Sequence, residues 1–195
     1  NCPIYISRHG ESEFNILNKL GGDSSLTQKG ISYSQKLNQF LEKEINNKEC
    51  ILFTSYLKRT IQTSNGITLS NCKRIKSRLL NEIHAGICEN MTDEEIKDKY
   101  PDIIKQRLAN KLYFRYPEGE SYKDLLERLQ YFILQILSID KCLVIISHRA
   151  INRVILGYFL GKKLDEIPHI EVNLNEVIKL TPNSKGYLKE VFKLQ

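Results

Sequence analysis

Leu143-Val144-Ile145-Ile146 is an unbroken apolar run that stops at Ser147-His148, and apolar residues then recur at Ile151, Val154, Ile155 and Phe159. A strand buried on both faces reads as such a run, and the spacing after it is that of one helix face. Strand, polar turn and helix in that order form the repeating unit of a parallel sheet, because parallel strands need a crossover between them.

The same alternation runs through the rest of the chain. Ile4-Tyr5-Ile6 predicts a short buried strand, and Gly21-Gly22-Asp23-Ser24-Ser25 predicts a loop. A helix is expected from near Thr27, with Ile31, Leu37, Phe40 and Leu41 on one face. Ile51-Leu52-Phe53 is the next strand, after which Ser55 opens a helical segment. There Leu57, Ile61 and Ile67 are expected to face the sheet, and Arg59 falls in the first turn. A weaker strand near Arg74-Ile75 leads to Leu79-Leu80-Asn81-Glu82. Thr92 with Glu95, and Ser121 with Asp124, have capping-box spacing. The first pair opens a helix ending before Pro101, with another helix after it, and the second opens one carrying Leu125, Leu129, Phe132, Ile133 and Ile136. Residues 113–120 read as a loop, and 174–180 and 188–192 as two closing strands about a Pro182/Gly186 turn. The expected architecture is α/β in three layers, a largely parallel central sheet with helices on both faces.

With 195 residues, 41% of them hydrophobic, there is enough apolar material for one sizeable core, so a single domain is expected. No apolar run approaches the roughly 20 residues of a membrane span. The first residues lack an initiator Met, a basic region and a cleavage site, and read as a strand cut from something longer rather than a signal peptide. Five scattered cysteines do not make the paired framework of a small secreted domain, which places the chain in a reducing cytoplasm. The net charge of +6 comes from lysines and arginines with no basic run and no interleaved aromatics. That pattern lacks a nucleic-acid platform, and a positive field also suits a pocket for a multiply phosphorylated small molecule; charge alone does not decide between the two.

In a sheet of this kind ligands bind beyond the carboxyl ends of the strands. Three polar clusters fall there: Arg8-His9-Gly10-Glu11, Ser55 to Arg59, and Ser147-His148. Gly10 is where a backbone could approach a ligand closely. A phosphoryl group in transfer spreads negative charge over three oxygens, and Arg8, Arg59, His9 and His148 can stabilise it without a metal or other cofactor. Neutral imidazole has a free lone pair near pH 7, so His9 can be a covalent nucleophile. A sugar alkoxide leaves poorly and needs a general acid, for which Glu82 is the candidate. Partial desolvation beside Leu79, Leu80 and Ile83 is expected to keep it protonated.

Arg8-His9-Gly10-Glu11, Arg59, Glu82 with Gly86, and Ser147-His148 together resemble the motif set of the histidine phosphatase (phosphoglycerate mutase-like) superfamily. A longer resemblance is to the bisphosphatase domains of the 6-phosphofructo-2-kinase/fructose-2,6-bisphosphatase family. It runs through Gly21-Gly22-Asp23-Ser24, Lys58 to Thr63, Asn81-Glu82-Ile83, Arg115-Tyr116-Pro117, Gly119 to Tyr122 and Leu180-Thr181-Pro182. This resemblance implies that His9 is the nucleophile, that Arg8, Arg59, His148 and Asn15 surround the 2-phosphoryl group of fructose 2,6-bisphosphate, and that Glu82 protonates the leaving oxygen. It further implies that Arg107, Lys111 and Arg153 bind the 6-phosphate side, with Gly21 near the sugar, that residues 1–195 are one such domain, and that 86–120 is an insertion covering the substrate. In relatives a kinase domain precedes this one; here Gly157 to Lys162 is too short for a nucleotide phosphate loop and lacks its hydroxyl residue.

Two positions depart from the family pattern. Asp93 stands where a tyrosine is usual and Arg149 where a glutamine is, both in the substrate pocket, and a mutual ion pair is one way they could reorganise it. His84 replaces a common aspartate. A broader sugar-phosphate phosphatase, a phosphoglycerate mutase and a catalytically weak regulatory domain are the competing expectations.

Overall fold

The structure, a computed structural model, describes residues 2–195; Asn1, from which the abrupt strand start was read, lies outside them. Six strands form one sheet: β1 (Ile4–Arg8), β2 (Cys50–Thr54), β3 (Cys72–Lys76), β4 (Cys142–Ser147), β5 (Glu176–Asn183) and β6 (Gly186–Lys193), in the order β3-β2-β4-β1-β5-β6. The first four strands in that order are mutually parallel, and β5 and β6 are antiparallel additions on the β1 side. The sheet is therefore largely parallel, as the alternating pattern requires.

The strands at its centre are buried on both faces, and successive residues divide between two cores. Ile4, Ile6, Phe53, Leu143 and Ile145 pack under α6 (Tyr122–Leu137) and α7 (Arg149–Phe159). Tyr5, Leu52, Val144 and Ile146 pack under α2 (Gln28–Ile45). The capping residues hold their helices where the spacing places them. Thr27 accepts from Gly30 N–H, Thr92 opens α4 (Asp93–Lys99) and Ser121 opens α6, the last two as complete capping boxes. Pro101 begins α5 (Pro101–Ala109), where its missing N–H costs no helical hydrogen bond.

Four expectations change. A one-turn helix, α1 (Glu13–Ile16), was not foreseen; its Ser12/Asn15 capping box uses Asn rather than Glu or Gln. The buried stripe of α2 is Tyr33, Leu37, Leu41 and Ile45, every fourth residue, while Ile31 faces solvent and Phe40 is only partly covered. In α3 (Lys58–Asn65) the buried residues are Arg59, Thr60, Thr63 and Ser64, not Leu57 and Ile61, because this helix packs against the polar end of the sheet; Ile67, beyond it, is buried. Pro182 belongs to β5, paired with Tyr187, so the turn is confined to the residues between Asn183 and Gly186.

Candidate active site

The three polar clusters meet because β2, β4 and β1 are adjacent and parallel, so their carboxyl ends open on one side. Arg8 stands opposite Ser147 in the ladder, and His9 N–H donates to the Ser147 carbonyl at 3.0 Å. The chain then turns at Gly10, whose N–H donates to Thr63 Oγ1 on α3 at 2.9 Å. The space beside Gly10 is filled by protein rather than left for a ligand. A Cβ there would lie 2.6 Å from the Gly30 carbonyl oxygen, so Gly10 lets the start of α2 press against the histidine loop.

His9 Nδ1 lies 2.6 Å from the Gly10 carbonyl oxygen. A carbonyl only accepts, so Nδ1 carries the hydrogen and Nε2 keeps its lone pair. Burial, then the charges of Arg59 and Arg8, hold the His9 pKa well below the ordinary imidazole value, leaving the ring neutral at pH 7. His148 is fully buried behind it, with ring centres 5.4 Å apart, and the same causes, burial first and Arg59 next, push its pKa down. Ser55 Oγ bonds to both His148 Nε2 (2.9 Å) and Thr60 Oγ1 (2.8 Å), tying β4 to α3.

Arg59 and Arg8 are almost wholly buried. Arg59 Nη1 donates to the Gly22 carbonyl at 2.9 Å, and Arg8 Nη1 to the Val172 carbonyl at 3.3 Å. Burial first and the neighbouring Arg149 second push Arg8 down to about 10, still a cation at neutral pH. Its Nε is buried with no protein partner. Glu82 lies in the same lining as these arginines, and its Oε1 accepts from Ile83 N–H at 2.9 Å.

These groups border a cavity of about 400 Å³, within the size of small-molecule sites. Of the residues expected in the site, Arg8, His9, Asn15, Gly21, Arg59, Glu82, Arg107, Lys111, Arg149 and Arg153 all lie on its wall, and His148 sits just behind. Asn15 is fixed there by its capping box with Ser12. Gly21 serves through its backbone: its φ is +60°, and a Cβ would fall 2.1 Å from a Glu89 carboxylate oxygen. That carboxylate accepts from Gly22 N–H (2.6 Å) and Ala85 N–H (2.7 Å), clasping two wall loops together.

On the same wall, Arg153 is oriented by donating to the Ile170 carbonyl (2.7 Å) and to Tyr122 Oη (2.9 Å). Burial, then Arg153, Arg107 and Arg149, lower the Lys111 pKa to about 8. Asp93 and Arg149 both line the cavity, but among the described residues they form no ion pair.

Several wall and support residues escaped the sequence reading. Lys19 and Tyr122 line the cavity. Arg128 donates to the carbonyls of Leu79 and Asn81 and pairs with Glu120 at 2.9 Å, which holds the Glu82 loop in place. Nothing local marks it: Arg128 lies on α6 among ordinary helix residues, and only the fold brings it under residues 79–82.

Curated proteins resemble this chain over nearly its whole length. A protein named 6-phosphofructo-2-kinase/fructose-2,6-bisphosphatase 3 from Rattus norvegicus is 43% identical over 183 residues, 94% of this chain and 32% of that protein. The Homo sapiens protein of the same name with the number 1 is 43% identical over 185 residues, 94% of this chain and 38% of the other. The chain thus spans about a third of the length of these curated relatives. Among solved structures, the alpha-ribazole phosphatase from Shigella flexneri superposes with a TM-score of 0.86 at 20% identity, covering 98% of this chain and 96% of that one, a likeness of fold. The model of the histidine phosphatase superfamily (branch 1) matches residues 4–194, and the chain belongs to that family.

Proposed function

We propose that this chain hydrolyses the 2-phosphate of fructose 2,6-bisphosphate, giving fructose 6-phosphate and phosphate through a phosphohistidine at His9. The observation that carries the reading is one cavity whose wall holds His9 and Glu82 together with Arg8, Arg59, Arg107, Lys111 and Arg153. Two phosphates on one small sugar suit that many cations on one wall, and the names and 43% identity of the relatives support the same substrate.

In this reading His9 Nε2 attacks phosphorus and the bond from phosphorus to the C2 oxygen breaks, that oxygen taking a proton from Glu82. Arg8 and Arg59 hold the equatorial oxygens, with His148 behind the nucleophile and Asn15 on the adjoining wall. Water then attacks the phosphohistidine, gives its proton to Glu82 and releases phosphate, which restores both residues. Arg149 adds a further cation to the wall, its charge acting on both Arg8 and Lys111. Residues 86–120 act as the cover over the sugar; they contribute Asp93, Arg107, Lys111 and Tyr116 to the wall and carry their own small apolar cluster. The bifunctional names of the relatives extend the proposal to an attached kinase domain, and the free cysteines extend it to a reducing cytoplasm.

The test is incorporation of label from 2-phosphate-labelled substrate, quenched in base, where phosphohistidine survives. Wild type is expected to hold the label and His9→Ala to hold none. Glu82→Gln is expected to lower kcat/KM by about 10²–10⁴-fold. An unlabelled wild type, or isomer formation from phosphoglycerates without phosphate release, would refute the reading.

A further inference from the structure

Four of the five cysteines gather at the end of the sheet remote from the cavity. Cys50, Cys72 and Cys142 are the first residues of β2, β3 and β4. In the ladders Cys50 stands opposite Cys72 on one side and Cys142 on the other. Register partners in a parallel sheet point to the same face. The three thiols therefore form a row on the α2 side, where Cys50 and Cys142 are core residues and Cys2 and Cys72 pack against them. All are free; Cys50 and Cys142 are buried, whereas Cys2 and Cys72 are partly open to solvent. The phosphoryl-transfer reading uses none of them.

Neighbouring strands lie about 4.8 Å apart, inside the Cα separation of about 4.4–6.8 Å that a disulfide spans. β3 is an edge strand with β2 as its only neighbour, so it can shift by the small amount the bond needs. Arg74 lies two residues beyond Cys72 on the same strand, its guanidinium fixed by donating to the Ser64 carbonyl at 2.7 Å and to the Ile67 carbonyl. The adjoining Cys50 thiol, and then the Arg74 charge, hold the Cys72 thiol below its usual range, while the Cys72 neighbour and burial push Cys50 up. The more exposed sulfur is thus the more nucleophilic, with a buried partner directly beside it.

We propose that Cys72 and Cys50 form a peroxide-reactive dithiol site that a hydroperoxide converts to a cross-strand disulfide. The Cys72 thiolate attacks a peroxide oxygen, the O–O bond breaks, and the departing oxygen leaves as water or an alcohol after taking a proton; Cys72 becomes a sulfenic acid. The Cys50 sulfur then attacks the Cys72 sulfur, and the sulfenic hydroxyl leaves with the Cys50 proton as water. Two thiols are oxidised and one peroxide is reduced. The new bond ties the edge strand to β2 at its amino end, away from Arg59 and Glu82, which follow the carboxyl ends of the same two strands.

Mass spectrometry of the folded protein tests this. The chain is treated with a few equivalents of hydrogen peroxide, its remaining thiols are blocked under denaturing conditions, and it is digested with and without reduction. The expected result is loss of two of the five thiols and a reducible Cys50–Cys72 cross-linked peptide. In Cys50→Ser a dimedone adduct is expected at Cys72, and in Cys72→Ser the Cys50 thiol stays unmodified. Five intact thiols, first oxidation at Cys2, or a cross-link containing Cys142 in place of Cys72 would each overturn the proposal.

Discussion

On the proposed mechanism, the hydrogen bond from His9 Nδ1 to the Gly10 carbonyl leaves Nε2 as the attacking nitrogen, and burial with the charges of Arg59 and Arg8 keeps the ring neutral. Crowding of like charges has a second effect, at Lys111. Its pKa of about 8 means that the ammonium is present below pH 8 and lost above it. A phosphate dianion binds the protonated form, and phosphate monoesters, with a second pKa of about 6, are already dianionic throughout this range. KM is therefore expected to rise as pH increases through about 8 while kcat changes little. In Lys111→Met, KM should be raised at pH 7 and its rise above pH 8 should disappear; steady-state kinetics from pH 6.5 to 9.5 would check both.

At the scale of elements, α3 shows how a helix can be placed by polar rather than apolar contacts. Its buried threonines tie it to the histidine loop and to Ser55, and Arg59 rides on the same face into the cavity. Thr63 is the joint: its Oγ1 accepts from Gly10 N–H and donates to the Arg59 carbonyl. Thr63→Val keeps the volume but leaves that buried N–H without an acceptor, which costs about 1–3 kcal/mol. Urea unfolding should show that loss. Phosphohistidine formation should slow as well, because both His9 and Arg59 lose an anchor. The Thr92 and Ser121 capping boxes were legible in the sequence because a cap is made within four residues, whereas the buried face of α3 was not, because its partners come from strands far away in the chain.

Across the whole molecule, the two cores on either face of the sheet keep the strand ends in line. Phe53 is fully buried in β2 and meets the Phe132 ring of α6 edge-on, with centres 5.1 Å apart. Phe53→Ala is expected to cost about 3–5 kcal/mol, seen as a fall in Tm of roughly 6–20 °C for a domain of this size. A calorimetric change well below that range would mean the core closes over the lost ring. By itself the sequence determined the strand-and-helix alternation, most helix starts, and the chemistry-bearing residues at strand ends, since periodicity, caps and motifs are local properties of the chain. It also carried the resemblance that named Arg107, Lys111 and Arg153. Only the tertiary structure decided that Gly10 makes room for Gly30 rather than for a ligand, that Arg128 holds the Glu82 loop, and that Asp93 and Arg149 share a cavity without pairing. Those outcomes depend on the sheet order and on the burial and charge it brings together, which involve residues far apart in sequence and so leave no short pattern to read.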